Sequence, residues 1–100
     1  MRLWVPPDDP VKLVEVGLTN RLDRPRRVTV TYYVEWVLGP SRSASALSVV
    51  TEMDPETGAM FARNPWNTTF GTRVAFADLG GRQTAWTGDR REFLGRNGTL

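Results

Sequence analysis

Residues 28–38, VTVTYYVEWVL, decide the fold. Val28, Val30, Tyr32, Val34, Trp36 and Leu38 alternate with Thr29, Thr31, Tyr33, Glu35 and Val37. That is the period of two a β-strand requires, because successive side chains leave opposite faces of the pleat. β-Branched and aromatic residues fill the stretch, and these suit a half-buried pleated surface. Tyr33 and Val37 place large side chains on the second face as well, which predicts a central strand or one covered on both sides. Gly39-Pro40 ends it, since proline donates no ladder hydrogen bond.

Working outward toward the N-terminus, NRLDRPRR (20–27) offers the Asn, Asp and Pro25 of an exposed turn. Before it, VKLVEVGLT (11–19) sets Val14, Val16 and Leu18 on one face, so 11–19 and 28–38 read as the two arms of a hairpin. MRLWVPPDDP (1–10) is an extended lead-in or strand end, broken by Pro6, Pro7 and Pro10. On the other side, SRSAS (41–45) is a polar connection and ALSVVTEM (46–53) a strand. DPETG (54–58) is a strong turn, with Pro55 at its second position and Gly58 at the left-handed one, and AMFAR (59–63) is the return strand. NPWNTTFGT (64–72) is a loop, RVAFADL (73–79) a strand, Gly80-Gly81 a turn and RQTAWTG (82–88) a last strand. DRREFLGRNGTL shows no clear period, and no ten residues carry apolar side chains at helical spacing. The pattern predicts an all-β fold, an antiparallel β-sandwich of six or seven strands. One hundred residues hold one core, so 1–100 reads as a single domain. Nothing in GRNGTL looks like a closing strand, so the chain reads as a piece of something larger.

Composition removes many functions. Forty percent of the residues are apolar and 24% charged, a globular balance. There is no His and no Cys, which excludes a His or Cys zinc site, a cysteine nucleophile, a Ser-His-Asp triad, an iron–sulfur cluster and a disulfide framework. No metal site and no cofactor is expected. No apolar run approaches the roughly 20 residues of a membrane span, and no charged start leads into an apolar stretch as in a signal peptide. Twelve Arg stand against one Lys, with a net charge of +2.

Each candidate site has a plainer structural reading beside it. Glu52, Asp54 and Glu56 bracket the DPETG turn, where carboxylates serve local hydrogen bonding better than catalysis. Glu35 is either a buried acid with a raised pKa or the partner of an arginine such as Arg63 or Arg73 on a neighbouring strand, and pairing is the better reading. Arg21, Arg24, Arg26 and Arg27 could grip phosphate or a nucleic-acid backbone, but Asp23 interrupts them at an exposed turn and a solvated loop is favoured. Strand aromatics such as Tyr32, Tyr33, Trp36 and Trp86 are expected in a core, whereas loop-borne Trp66 is the one best placed to meet a ligand. Asn67-Thr68-Thr69 and Asn97-Gly98-Thr99 match glycosylation sequons, which matter only in a secretory pathway. TGDRREFLGRNG (87–98) gathers Asp89, Arg90, Arg91, Glu92, Arg96 and Asn97 around Phe93 and Leu94 between glycines. Such a loop combines close backbone approach with the directional donors that sugar hydroxyls or phosphate require.

VTYYVEWVLG (30–39), VVTEMDPETGAMFARNPWN (49–67), RVAFADLGGRQTAWTGDRREFLGRNGTL (73–100) and the lead-in PPDDPVKL (6–13) together resemble the cyclic β-1,2-glucan synthase family. The likeness is to the start of its C-terminal half, which is similar to cellobiose and chitobiose phosphorylases. It covers nearly the whole chain. The resemblance implies a non-catalytic part of a larger supersandwich within a very large, membrane-anchored bacterial enzyme, on the cytoplasmic side of the inner membrane. In such phosphorylases, phosphate attacks the anomeric carbon while a carboxylic acid on a separate helical barrel protonates the leaving sugar. In the synthase this half is thought to limit glucan length, and another half transfers glucose from UDP-glucose. The catalytic acid belongs to the barrel, so no catalytic residue is assigned here.

By the DRREFLGR match, the resemblance implies a sugar- or phosphate-side role for Arg90, Arg96 and Asn97, with Asp89 and Glu92 orienting the arginines; Trp66 joins them as a candidate from its chemistry. The implied partners are a β-glucan or oligosaccharide, phosphate and the remaining domains of the parent, with neither nucleic acid nor membrane contacted by this piece. An open sheet edge would invite a homodimer. Two other functions compete: an autonomous carbohydrate-binding module using Trp66 and the terminal loop, and an arginine-mediated binder of anionic partners.

Overall fold

The computed structural model describes residues 1–98. The chain divides into two compact units, Met1–Tyr32 and Tyr33–Leu100. It is all-β in character, as the patterning predicts: both sheets are antiparallel, and helix is confined to two short segments.

In the first unit, β1 (Arg2–Trp4) pairs with β2 (Leu13–Glu15), Arg2 facing Glu15 and Trp4 facing Leu13. The prolines between them supply the reversal, with the Val11 amide donating to the Asp9 carbonyl at 2.8 Å. Arg2 and Glu15 also meet as an ion pair at 3.0 Å. The Asn20 turn forms as read: its Oδ1 accepts from the Leu22 amide at 3.0 Å and its Nδ2 donates to the Arg24 carbonyl at 2.8 Å. The hairpin expected to flank that turn does not. A strand exists only through its ladder, and the segment 11–19 gives Leu13–Glu15 to β1 rather than to residues 28–38, which carry no strand. The boundary between the units falls inside that stretch, at Tyr32–Tyr33.

The second unit is built on β3 (Val50–Met53), β4 (Met60–Arg63) and β5 (Ala75–Ala77), with β4 in the middle. DPETG closes the β3–β4 hairpin as the sequence predicts. Asp54 accepts from the Thr57 amide at 2.9 Å and from its hydroxyl at 2.5 Å, and Gly58 takes φ +74°. These contacts hold the Asp54 carboxyl below its ordinary range. Thr51, Ala62 and Ala75 share one face of the register, while Glu52, Phe61 and Phe76 share the other. Arg63 lies diagonally across from Glu52 on that second face, at 4.0 Å.

Where a polar connection was expected, Ser41 caps a helical turn, α1 (Arg42–Ser45), its Oγ accepting from the Ala44 amide at 3.2 Å. Residues 82–88 form no strand. Gln83 instead reaches back with its side-chain amide to the Gly58 carbonyl and, at 3.2 Å, to Asp78, tying the two turns together. Five strands therefore stand among the described residues where alternation predicted six or seven.

Apolar burial is sparse. Among the described residues the buried apolar side chains are Ala59 and Ala62, and the accessible surface is 8957 Å². A folded monomer of 11.3 kDa exposes about 5,700 Å², and even two independent globules of these two sizes would together expose about 6,800 Å².

Candidate functional site

The second unit carries two features with chemical potential. The first is centred on Glu35. Tyr33 and Glu35 lie two apart, and the Tyr33 hydroxyl donates to Glu35 Oε1 at 2.6 Å. Arg90, 55 positions away in sequence, donates from Nε to the same oxygen at 2.9 Å, and Arg42 of α1 meets Oε2 at 2.5 Å. Arg90 opens α2 (Arg90–Leu94), and Phe93 one turn later stacks on Tyr33 with ring centroids 5.0 Å apart and planes within 14°. An ion pair and an aromatic pair thus fasten one face of α2 to residues 33–35.

The electrostatics follow from this geometry. The Tyr33 hydroxyl first, then the Arg90 guanidinium, lower the Glu35 carboxyl against a smaller opposing effect of burial. Reciprocally, Glu35 raises both the Tyr33 phenol and Arg90. One carboxylate shared between two guanidiniums leaves the cluster with an excess positive charge.

The helix α2 forms because its ends are satisfied. Asp89 caps it, accepting from the Arg91 amide at 2.8 Å, and Gly95 stops it at φ +80°. Glu92 accepts from the Thr87 hydroxyl. Arg96 and Asn97 follow in an exposed turn, in which the Gly98 amide donates to the Gly95 carbonyl at 3.2 Å.

The second feature is an open cleft of about 920 Å³ whose lining includes Val37, Ser48, Trp66, Asn67, Phe70 and Arg73. Its 64–70 loop is fixed by asparagines. Asn64 is buried, donating to the Leu38 carbonyl at 2.8 Å and accepting from the Trp66 amide at 3.1 Å. Asn67 accepts from the amides of Thr69 and Phe70 at 3.0 and 2.8 Å. On this braced loop Trp66 is 82% exposed. Gly39 permits the close approach of α1 to the cleft floor, since a Cβ there would stand 3.0 Å from that of Ser45.

Several expectations need correction. Glu35 pairs with an arginine, but with Arg90 and Arg42; Arg63 goes to Glu52 and Arg73 to the cleft. Among the described residues Asp89 is bonded at a backbone cap and Glu92 to a hydroxyl, and neither forms an ion pair with an arginine. The structure gathers Arg90, Arg96 and Asn97 on and just after one short helix, whereas Trp66 lines a cleft that α2 does not enter. The arginines of 20–27 are exposed on their turn. Among the described residues no cluster of His, Cys, Asp or Glu could hold a metal. Thr99 of the second sequon lies outside the described residues. Sequence reasoning missed Tyr33 and Glu35 as the anchor of α2. The available signal was their spacing, which puts them on one side of an extended segment.

A family model described as glycosyl hydrolase 94, supersandwich domain, matches residues 1–100. The chain belongs to that family. It is also 40% identical over 91 residues to the cyclic beta-(1,2)-glucan synthase NdvB of Rhizobium meliloti (strain 1021), covering 91% of this chain and 3% of that protein. The resemblance carried by VTYYVEWVLG, VVTEMDPETGAMFARNPWN and DRREFLGR is therefore borne out. A supersandwich assignment accords with the all-β structure. No solved structure matches the chain significantly. Among the described residues no helix is long and apolar enough to cross a membrane.

Proposed function

We propose that this chain is a non-catalytic part of a cyclic β-1,2-glucan synthase, within its phosphorylase-like half, where it shapes and covers a carbohydrate site. The observation that supports the reading best is α2: an ion pair and an aromatic stack fix a five-residue helix that carries Arg90 and leads directly into Arg96 and Asn97. A guanidinium held in place is suited to sugar hydroxyls and phosphate. Several carboxylates that might have served catalysis have structural partners instead: Asp54 in its turn, Asp89 at its cap, Glu35 between two arginines. The acid for glycosidic cleavage, on this reading, comes from another domain. On this reading the parent is a membrane-anchored bacterial enzyme whose phosphorolysis limits glucan length.

The test uses the full-length polypeptide and phosphate-dependent cleavage of β-1,2-glucan. Arg90→Gln removes charged hydrogen bonds to sugar and raises KM for glucan by roughly 10- to 100-fold. An unchanged KM in a folded variant overturns the reading.

A second reading draws on the cleft. A tryptophan that is 82% exposed on a loop braced by two asparagines is suited to stacking against a sugar ring. This would make the 64–70 loop a carbohydrate-holding surface in its own right. Glucan binding by the full-length protein that survives Arg90→Gln but falls with Trp66→Ala would favour it.

A further inference from the structure

We infer that Glu35 and Tyr33 are positioning residues for Arg90, fixing the direction in which its guanidinium faces the glucan; the inference rests on the role proposed above for Arg90. A guanidinium is planar, so a hydrogen bond at Nε sets the plane and with it the direction of the two terminal nitrogens. Arg90 is held in that way, Nε to Glu35 Oε1 at 2.9 Å, while its side chain stays 48% exposed. The guanidinium is thus engaged at Nε while about half of the side-chain surface stays accessible. An arginine searching its rotamers loses affinity to ordering when it binds, and one already held does not.

Three details favour orientation over a simple clamp. Arg42 occupies Oε2 at 2.5 Å, so Glu35 is shared and Arg90 is not neutralised by an acid of its own. Tyr33 secures the same Oε1 through its hydroxyl at 2.6 Å while its ring stacks on Phe93, so a single residue sets both the acid and the helix beneath Arg90. The acids flanking Arg90 on α2 do not compete for it: Asp89 is bonded to the Arg91 amide and Glu92 to the Thr87 hydroxyl. The carboxylate that holds Arg90 comes from 55 positions away.

The experiment is a mutant cycle in the full-length protein, read as glucan KM and kcat with thermal unfolding alongside. Glu35→Gln keeps the shape and removes the charge; Tyr33→Phe keeps the ring stack on Phe93 and removes the hydroxyl. Each is expected to raise KM for glucan by about tenfold, as loss of an outer partner that orients a ligand-binding group commonly does, with kcat within about twofold. Neither should add to the effect of Arg90→Gln. If Glu35→Gln impairs folding, Tyr33→Phe carries the test. The inference is overturned if Arg90→Gln raises KM while both other variants leave it unchanged, in which case the proposed role of Arg90 still stands. It is overturned as well if their effects persist undiminished in the Arg90→Gln background. Should Arg90→Gln itself leave KM unchanged, the proposed function fails, and this inference with it.

Discussion

On the proposed reading, residues 1–100 taken apart from the remainder of a larger polypeptide should lack a cooperative fold. The chain exposes 8957 Å², about 2,100 Å² more than two independent globules of its two units' sizes. With slightly more than half of that surface apolar, about 1,200 Å² of apolar area lacks cover. At about 25 cal/mol per Å² this withholds about 30 kcal/mol of hydrophobic stabilisation. The net stability of an ordinary domain is only about 5–15 kcal/mol, so the shortfall decides the outcome. Side chains such as Leu3, Val30, Leu47 and Phe76 are among those left uncovered. The assay is urea unfolding of the isolated chain, followed by tryptophan fluorescence and far-UV circular dichroism, with a hydrophobic dye as a third probe. Broad, non-coincident transitions and dye binding in the absence of urea are expected. A single sharp transition shared by both probes, with no dye bound, would refute the reasoning.

Other outcomes follow from particular residues in the proposed full-length protein. The folded-state pKa of Glu35 is lowered, so the stability it lends is present above the ordinary carboxylate value near 4.5 and is lost as pH falls through the lowered value. Protection of the α2 amides, corrected for the intrinsic exchange rate at each pH, should fall over that acid range, and Glu35→Gln should abolish that change. Tyr33 is raised above its ordinary value of 10.0, so its contribution holds below that value and fades as pH rises through the higher one; a phenolate absorbance titration locates it. Gly58→Ala puts a Cβ 2.6 Å from Gln83 Nε2 at φ +74°, and should cost about 1–3 kcal/mol in chemical denaturation. Trp66→Ala removes an exposed side chain and should change stability by less than about 0.5 kcal/mol, so a loss of glucan binding there would report contact rather than unfolding.

The turns were the most legible part of the sequence, because their chemistry is local. DPETG and the Asn20 turn depend on residues within four positions of one another, and both form as read. Long-range pairing was less legible. The alternation of 28–38 describes a segment able to be a strand, but a ladder needs a partner, and none among the described residues pairs with it. Both short helices escaped notice because four or five residues cannot display a 3.6-residue period; only their caps, Ser41 and Asp89, announced them. Glu35 was recognised as the partner of an arginine, but charge alone does not select among twelve. Phe93 against Tyr33 brings Arg90 to it, and that contact depends on the tertiary fold.

The central claim, that this domain faces the carbohydrate site of a larger enzyme through α2, is tested most directly by hydrogen exchange of the full-length protein with and without β-1,2-glucan. The account predicts slower exchange in the peptides covering residues 89–97 when glucan is bound, and loss of that protection in Arg90→Gln. Exchange in 89–97 that is identical with and without saturating glucan, while peptides from other domains become protected, would contradict it.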